Sequence, residues 1–167
     1  MDQDIHIRDY TSADVTFVIA SQLQLYKDEY GFDSDVWKKY LIGGVHQLTE
    51  NFDPKKDCLY ILEVDGKPAG SIAITHVEDR VAQLRFFFIA EEARGKGAGK
   101  KLMDKALDFC RQAGYHRVFL WTFSTLYAAR HLYAQKGFIL SETQENNDWG
   151  TPILEERWDA ILFDLKE

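Results

Sequence analysis

"EEARGKGAGKKLMDKAL", residues 91–107, decides how the chain reads, because three closely spaced glycines with cations between and around them run directly into a helical pattern. Leu102, Met103, Ala106, Leu107 and Cys110 recur on one helical face, Lys and Asp residues occupy the other, and Gly114 supplies the stop. Immediately before it stands "VAQLRFFFI", residues 81–89, and after Gly114 comes "RVFLWTF", residues 117–123, both with the composition of strands. The second is expected to be buried throughout. Strand, glycine turn, helix and strand make a crossover, so these two strands are expected to lie parallel and adjacent.

Working outward, "DIHIRDYTSAD" reads as a short alternating strand and a helix start with Thr11 or Ser12 as N-cap. A first helix is expected over 13–29, with Phe17, Val18, Leu25 and Tyr26 on its apolar face and Gly31 just beyond its end. A second, over 34–49, carries Trp37, Leu41, Val45 and Leu48 at helical spacing, with Gly43 and Gly44 weakening its middle. Strands are expected over 58–64, 69–76 and 81–89, turning at "DGKP" and "VEDR" in an antiparallel meander. "TLYAARHLYAQKGF" gives a short helix ended by Gly137, and "FILSET" and "ERWDAILFDL" give two late strands. "QENNDWGTPI" between them reads as a polar loop. The order βααβββαβαββ describes a mixed α/β (α+β) fold with a mostly antiparallel sheet, not a doubly wound parallel one.

At 167 residues, with 46% hydrophobic and 14% aromatic residues, the chain suits one domain, 1–167, with one sizeable core. Its formal net charge of −7 disfavours nonspecific attraction to nucleic acid or to anionic membranes. Cys58 and Cys110 have no metal-ligand spacing and sit in apolar runs, as reduced buried thiols do; no metal is expected. The N-terminus lacks an apolar h-region and no stretch reaches the ~18 apolar residues of a membrane span, so a cytoplasmic location is expected.

Three anion sites compete for the glycines. A P-loop fails because Gly95 to Gly99 encloses three residues where four are needed, and Lys101 stands where a hydroxyl belongs. The dinucleotide fingerprint fails because Gly95, Gly97 and Gly99 are spaced two and two. A pyrophosphate cradle at a helix N-terminus fits, since free N–H groups and the helix dipole favour an anion that glycine lets approach. Arg94, Lys96 and Lys100 can then pair with phosphate charge. On the stretch alone, an idle glycine cap on a basic helix fits as well.

The stretch also resembles a family signature. "RGKGAG", Arg94 to Gly99, fits [QR]-x-x-G-x-[GA], and "AARHLYAQKGF" carries Ala129, Tyr133, Gly137 and Phe138 in the pattern A-x-x-x-Y-x-x-x-G-F. Both are motifs of the GNAT superfamily of acetyl-CoA-dependent N-acetyltransferases, which the chain resembles from Ile5 to Leu165. "LYKDEYGFD", "LWTFSTLYAARHLYAQKGF" and "WGTPILEERW" look like the acetyltransferase half of bacterial proteins that fuse it to a MarR-type regulator. The chain starts at the acetyltransferase strand, so it is expected to lack a DNA-binding half.

The resemblance implies acetyl-CoA held between splayed parallel strands, its pantetheine arm along Phe88 and Ile89. The backbone from Gly95 through Lys96, Gly97, Ala98 and Gly99 to Lys100 would hold its pyrophosphate, with Ser124, Ala129 and Lys136 nearby. An acceptor amine would attack the thioester directly, and Tyr133 would protonate the leaving thiolate. A phenol of pKa ~10 matches a thiol of similar basicity. Family members often carry a base at the positions of Gln83 and Arg85, and neither residue can serve as one. Both are expected to face the acceptor, where Arg85 suits a carboxylate or phosphate unless an internal Glu pairs with it. Glu29 is the first candidate base, ahead of His76 and His46, with Tyr26 and Tyr30 beside the substrate. Leu126 replaces a frequent Asn, so the CoA contacts of that amide would come from Ser124 or Thr125 or be absent. Trp121, Trp149 and Trp158 are expected in the core or the cleft wall, Trp121 within reach of substrate. The expected reaction is acetyl transfer to a primary amine of a small molecule, with a noncatalytic acyl-CoA-binding module or a protein acetyltransferase as alternatives. The C-terminal strand pair would mediate any homodimer.

Overall fold

The computed structural model describes residues 4–162. Its elements run β1 (Ile5–Asp9), α1 (Asp14–Tyr30), α2 (Asp35–Glu50), β2 (Cys58–Val64), β3 (Lys67–Glu78), β4 (Val81–Ile89), α3 (Ala98–Ala113), β5 (Arg117–Phe123), α4 (Tyr127–Gln135), β6 (Ile139–Asn146) and β7 (Ile153–Ile161). The order is the one read from the sequence. The strands form a single sheet in the order β1-β2-β3-β4-β5-β7-β6. Every pair is antiparallel except β4 and β5. The expected end of the last strand, Phe163 to Leu165, lies outside the described residues.

Helices cover both faces of the sheet. On one side α3 buries Leu102, Met103, Ala106, Leu107 and Cys110 against Leu62, Ile72, Leu84, Val118 and Leu120, with Tyr133 of α4 joining the same cluster. Removing a fully buried side chain such as Leu102 to alanine would cost about 2–5 kcal/mol. On the other side α1 and α2 supply Val18, Trp37, Leu41, Val45 and Leu48 against Ile61, Ala73, Phe86 and Phe123. Cys58 and Cys110 are free, buried thiols; burial in this apolar layer pushes Cys110 up to about 12 and Cys58 higher still.

Several local expectations fail for identifiable reasons. Neither Thr11 nor Ser12 caps α1; its N-cap is Ala13, and the Asp14 carboxylate turns back to accept from the Thr11 backbone N–H at 2.7 Å and from Thr11 Oγ1. Arg8 holds that carboxylate through two bonds of 2.7 and 2.9 Å. The inner face of α1 is also less apolar than its spacing implied, because Gln22 is buried there and donates to the Val18 carbonyl. The reading of "QENNDWGTPI" as loop fails at both ends: Gln144 to Asn146 pair with Glu155, Leu154 and Ile153. Buried Glu155 accepts from the Gln144 and Asn146 amides, so polar residues here satisfy one another inside a strand pair. In β5, Arg117 is exposed and Trp121 half-buried, so the strand is not buried throughout.

Candidate active site

The parallel pair is short. Val81, Ala82 and Gln83 pair with Arg117, Val118 and Phe119, and no pairing between the two strands continues beyond them. The β5-facing edge of β4 from Leu84 to Ile89 is therefore free of a neighbouring strand, and the strands part to open a cleft of about 470 Å³.

A bulge in β4 sets what faces this cleft. Phe86 has φ of +53°, uncommon for a bulky residue, and the β3 register slips between Ser71, opposite Phe88, and Ala73, opposite Arg85. Fully buried Ser71 donates its hydroxyl to the Phe86 carbonyl at 2.6 Å and fastens the bulge. Strict alternation would put Ile89 and Arg85 on one face; instead Ile89 and Phe87 pack toward α3 while Arg85 and Phe86 both meet α2 at Gly44. A Cβ on Gly44 would lie 2.6 Å from Arg85 Nη2, so the glycine clears a path for the guanidinium. Gly44 does not interrupt α2, which runs unbroken through it.

At the end of the cleft beside α3, Gly97 is the N-cap of that helix with φ of +75°, a left-handed conformation that glycine adopts freely, and no side chain among the described residues caps the helix. Among the described residues no backbone carbonyl accepts from the N–H groups of Gly95 through Lys100; the first such bond runs from Lys101 to Gly97. Gly95, Gly97, Ala98 and Gly99 all line the cleft. This is the open, donor-rich helix end that a diphosphate requires, so the residues present fit a coenzyme A moiety.

Tyr133 lies in the same cleft, 5% exposed, with its ring against Phe87, Phe138 and Trp158. Burial pushes its phenol above the ordinary range, so it is held protonated. Thr122 on β5 also lines the cleft, and its buried hydroxyl has no partner among the described residues.

Other expected site residues are engaged elsewhere or stand apart. Glu29 accepts from Arg94 Nη1 and Nη2 at 2.8 and 3.0 Å, and Arg94 Nε donates to the Ile89 carbonyl at 3.0 Å. The guanidinium holds the Glu29 carboxyl below its usual value, so the paired carboxylate is a weak proton acceptor. The same contact occupies the Ile89 carbonyl expected to meet the pantetheine arm. Lys96 donates to the Glu92 carbonyl, and Lys136 pairs with Asp104 at 2.6 Å on the outer side of α3. Ser124 gives its backbone N–H to Leu154, and it does not line the cleft, whereas Phe88, Ala129 and Leu126 do. His76 contacts the Tyr115 hydroxyl and His46 is exposed on α2; neither lines the cleft.

Gln83, Arg85, Tyr26, Tyr30 and Trp121, named from the sequence for the acceptor, line this same cleft, together with Gln22, Trp37, Tyr40 and Trp149. Sequence periodicity placed Trp37 on an apolar helix face and gave no sign that its indole N–H is buried without an acceptor among the described residues. Trp149 arrives from the β6–β7 loop because Gly150, at φ of +114°, packs so tightly that a Cβ would sit 2.6 Å from the Gly31 carbonyl. Trp158, in contrast, belongs to the core.

A sheet splayed at one parallel pair, with a glycine-capped helix at the opening, is the architecture of the N-acetyltransferases. Residues 20–138 match the model of the acetyltransferase (GNAT) family, and the chain belongs to that family. It is similar to an uncharacterized N-acetyltransferase of Methanocaldococcus jannaschii, 27% identical over 140 residues that cover 79% of this chain and 59% of that protein. It is 30% identical over 115 residues to the human N-acetylaspartate synthetase, covering 65% of this chain and 38% of that one. The fold matches that of a putative acetyltransferase of Salmonella typhimurium solved with its cofactor acetyl-CoA, at a TM-score of 0.74 and 16% identity, covering 98% of this chain and 96% of that one. The chain thus spans about three fifths of the archaeal relative. Among the described residues no helix is long and apolar enough to cross a membrane.

Proposed function

We propose that the protein transfers the acetyl group of acetyl-CoA to the primary amine of a small molecule that carries an acid group. The observation that carries this reading is the conjunction, in one cleft, of the unpaired β4 edge, the free N–H groups of Gly95 to Lys100 and the protonated Tyr133. The family membership and the acetyl-CoA named with the Salmonella structure support the donor. The acid group is supported by Arg85, which has no acidic partner among the described residues.

In this reading acetyl-CoA supplies an activated thioester, and the chain's residues position it and manage protons. The acceptor nitrogen's lone pair forms the new N–C bond, the C–S bond breaks, and its electron pair stays on sulfur. Tyr133 gives its proton to that sulfur, and the proton lost by the amine returns through solvent to the phenolate. Neither Gln83 nor Arg85 can take a proton, and Glu29 is tied to Arg94. The acceptor must therefore arrive as free amine or lose its proton to water. The same lack of an unengaged base favours a second reading, a noncatalytic acyl-CoA-binding module. It fits the likeness to the acetyltransferase half of MarR-type fusions.

The test is CoA release from acetyl-CoA across a panel of primary amines, with Tyr133→Phe alongside. Turnover that drops at least tenfold in Tyr133→Phe, with acetyl-CoA affinity retained, supports the mechanism. Full activity of that variant refutes the role of Tyr133, and acetyl-CoA binding without transfer to any amine favours the binding module.

A further inference from the structure

Resting on the acetyl-transfer reading, we infer that the acceptor is an α-amino acid with an aromatic side chain, its carboxylate held by Arg85 and its ring by Trp37, Tyr40 and Trp149. Three observations converge on this class. First, the residues lining the cleft include Arg85 and Arg94 and no Asp or Glu. Arg94 is neutralised by Glu29, whereas Arg85 is not paired with any acid among the described residues. The acceptor end therefore carries an uncompensated positive charge in a partly desolvated site, which attracts a carboxylate and repels a polyamine.

Second, the walls are aromatic. Trp37 lies 5.0 Å from Trp149 and 6.1 Å from Tyr40 between ring centroids, and Tyr40 lies 5.7 Å from Trp149. Such a group of rings can also hold an ammonium ion. Here that role is already taken, because the Arg85 guanidinium sits 5.4 Å from the Tyr40 centroid and 4.6 Å from that of Phe86. The rings pack on one another, and what they offer a ligand is the apolar aromatic wall they give the cleft, which suits a planar ring.

Third, the indole N–H of Trp37, a cleft-lining residue 6% exposed, has no acceptor among the described residues. A buried donor without a partner costs stability unless a ligand supplies an acceptor, and a carboxylate oxygen does so. The opening of about 470 Å³ gives room for an amino-acid-sized molecule beside the thioester.

The experiment compares L-tryptophan, L-tryptophanamide, L-alanine and spermidine as acceptors by CoA release with the intact chain. Calorimetric binding of N-acetyl-L-tryptophan and of its amide to CoA-saturated protein is measured in parallel, for wild type, Arg85→Met and Trp37→Phe. Expected are at least tenfold higher kcat/KM for tryptophan than for its amide or for alanine, and the lowest value for spermidine. Arg85→Met should bring the N-acetyl acid and its amide to equal affinity, and Trp37→Phe, which keeps an aromatic ring, should weaken the acid alone by several fold. Equal use of acid and amide, preference for spermidine, or no binding of N-acetyl-L-tryptophan overturns the inference. Arg85-dependent binding of N-acetyl-L-tryptophan with no transfer to any amine upholds the ligand class and refutes the catalytic reading. Should Arg85→Met not fold, the Trp37→Phe comparison of acid against amide decides.

Discussion

Gly44→Ala is the perturbation whose outcome the geometry fixes most closely. Replacing a glycine inside a helix by alanine gains about 1 kcal/mol of helix propensity. Against that gain, the new Cβ would lie 2.6 Å from Arg85 Nη2, 3.2 Å from Arg85 Cζ and 3.1 Å from Phe86 Cζ. Nonbonded atoms rest at about 3.5 Å, so the guanidinium must withdraw by roughly 1 Å while Phe86 yields a few tenths. Arg85 can withdraw because its side chain is flexible and the half-buried residue lines the cleft. Folding stability is therefore expected to stay within about 1 kcal/mol of wild type, a Tm change of no more than ~4 °C. The site fares worse, since a displacement of 1 Å in a positioning group can cost about 100-fold. The assay pairs a thermal melt with steady-state kinetics on a carboxylate-bearing amine and with acetyl-CoA binding. A fall of at least tenfold in kcat/KM, with unchanged Tm and acetyl-CoA affinity, is expected. Unchanged kcat/KM would show that Arg85 does not position the acceptor. A Tm loss above ~8 °C would show that the strain falls on packed atoms rather than on the guanidinium.

The Asp14 carboxyl is lowered from 3.8 to about 2, chiefly by the hydrogen bonds from Arg8 and despite the opposing cost of burial. A depressed folded-state value means that this stability, about 2 kcal/mol, is present above the unfolded carboxyl's pKa and lost as pH falls from about 4 to 2. Asp14→Asn should therefore lower stability by about that amount at pH 7 and lose its difference from wild type near pH 2, read by urea melts across pH. Glu29→Gln breaks an ion pair whose side chains are 36% and 43% exposed, so its thermal melt should move by less than ~1 kcal/mol. If transfer in that variant retains wild-type kcat, Glu29 is not the base; a drop of more than tenfold would make it one. With Glu29 held low and Tyr133 held high, kcat should show no inflection from either group between about pH 6 and 9. Gly150→Ala forces a left-handed φ and a backbone clash at Gly31, so a loss of about 1–3 kcal/mol, with weakened acceptor binding through Trp149, is expected by melt and by KM.

What the sequence by itself determined was everything encoded by short-range rules. Apolar period placed α3 and its buried face, glycine ended the helices at Gly31, Gly114 and Gly137, and the crossover from β4 to β5 required the parallel pair. The resemblance to family motifs pointed to the glycine-capped helix end and to Tyr133, and both line the cleft. Tertiary structure decided how the aromatic end of the cleft is built. Nothing within a few residues of Arg85 announces the bulge at Phe86 that turns it toward α2, or that Gly44 exists to let it pass. The Glu29–Arg94 pair joins residues 65 apart, and Trp149 reaches Trp37 from a different end of the chain. Long-range partners such as these are set by packing and charge between elements, and periodicity within one element carries no record of them. The glycine-capped helix end is thus a property of one segment and readable from it, whereas the aromatic end of the cleft is a property of five segments meeting, α1, α2, β4, β5 and the β6–β7 loop, and only their meeting shows its shape.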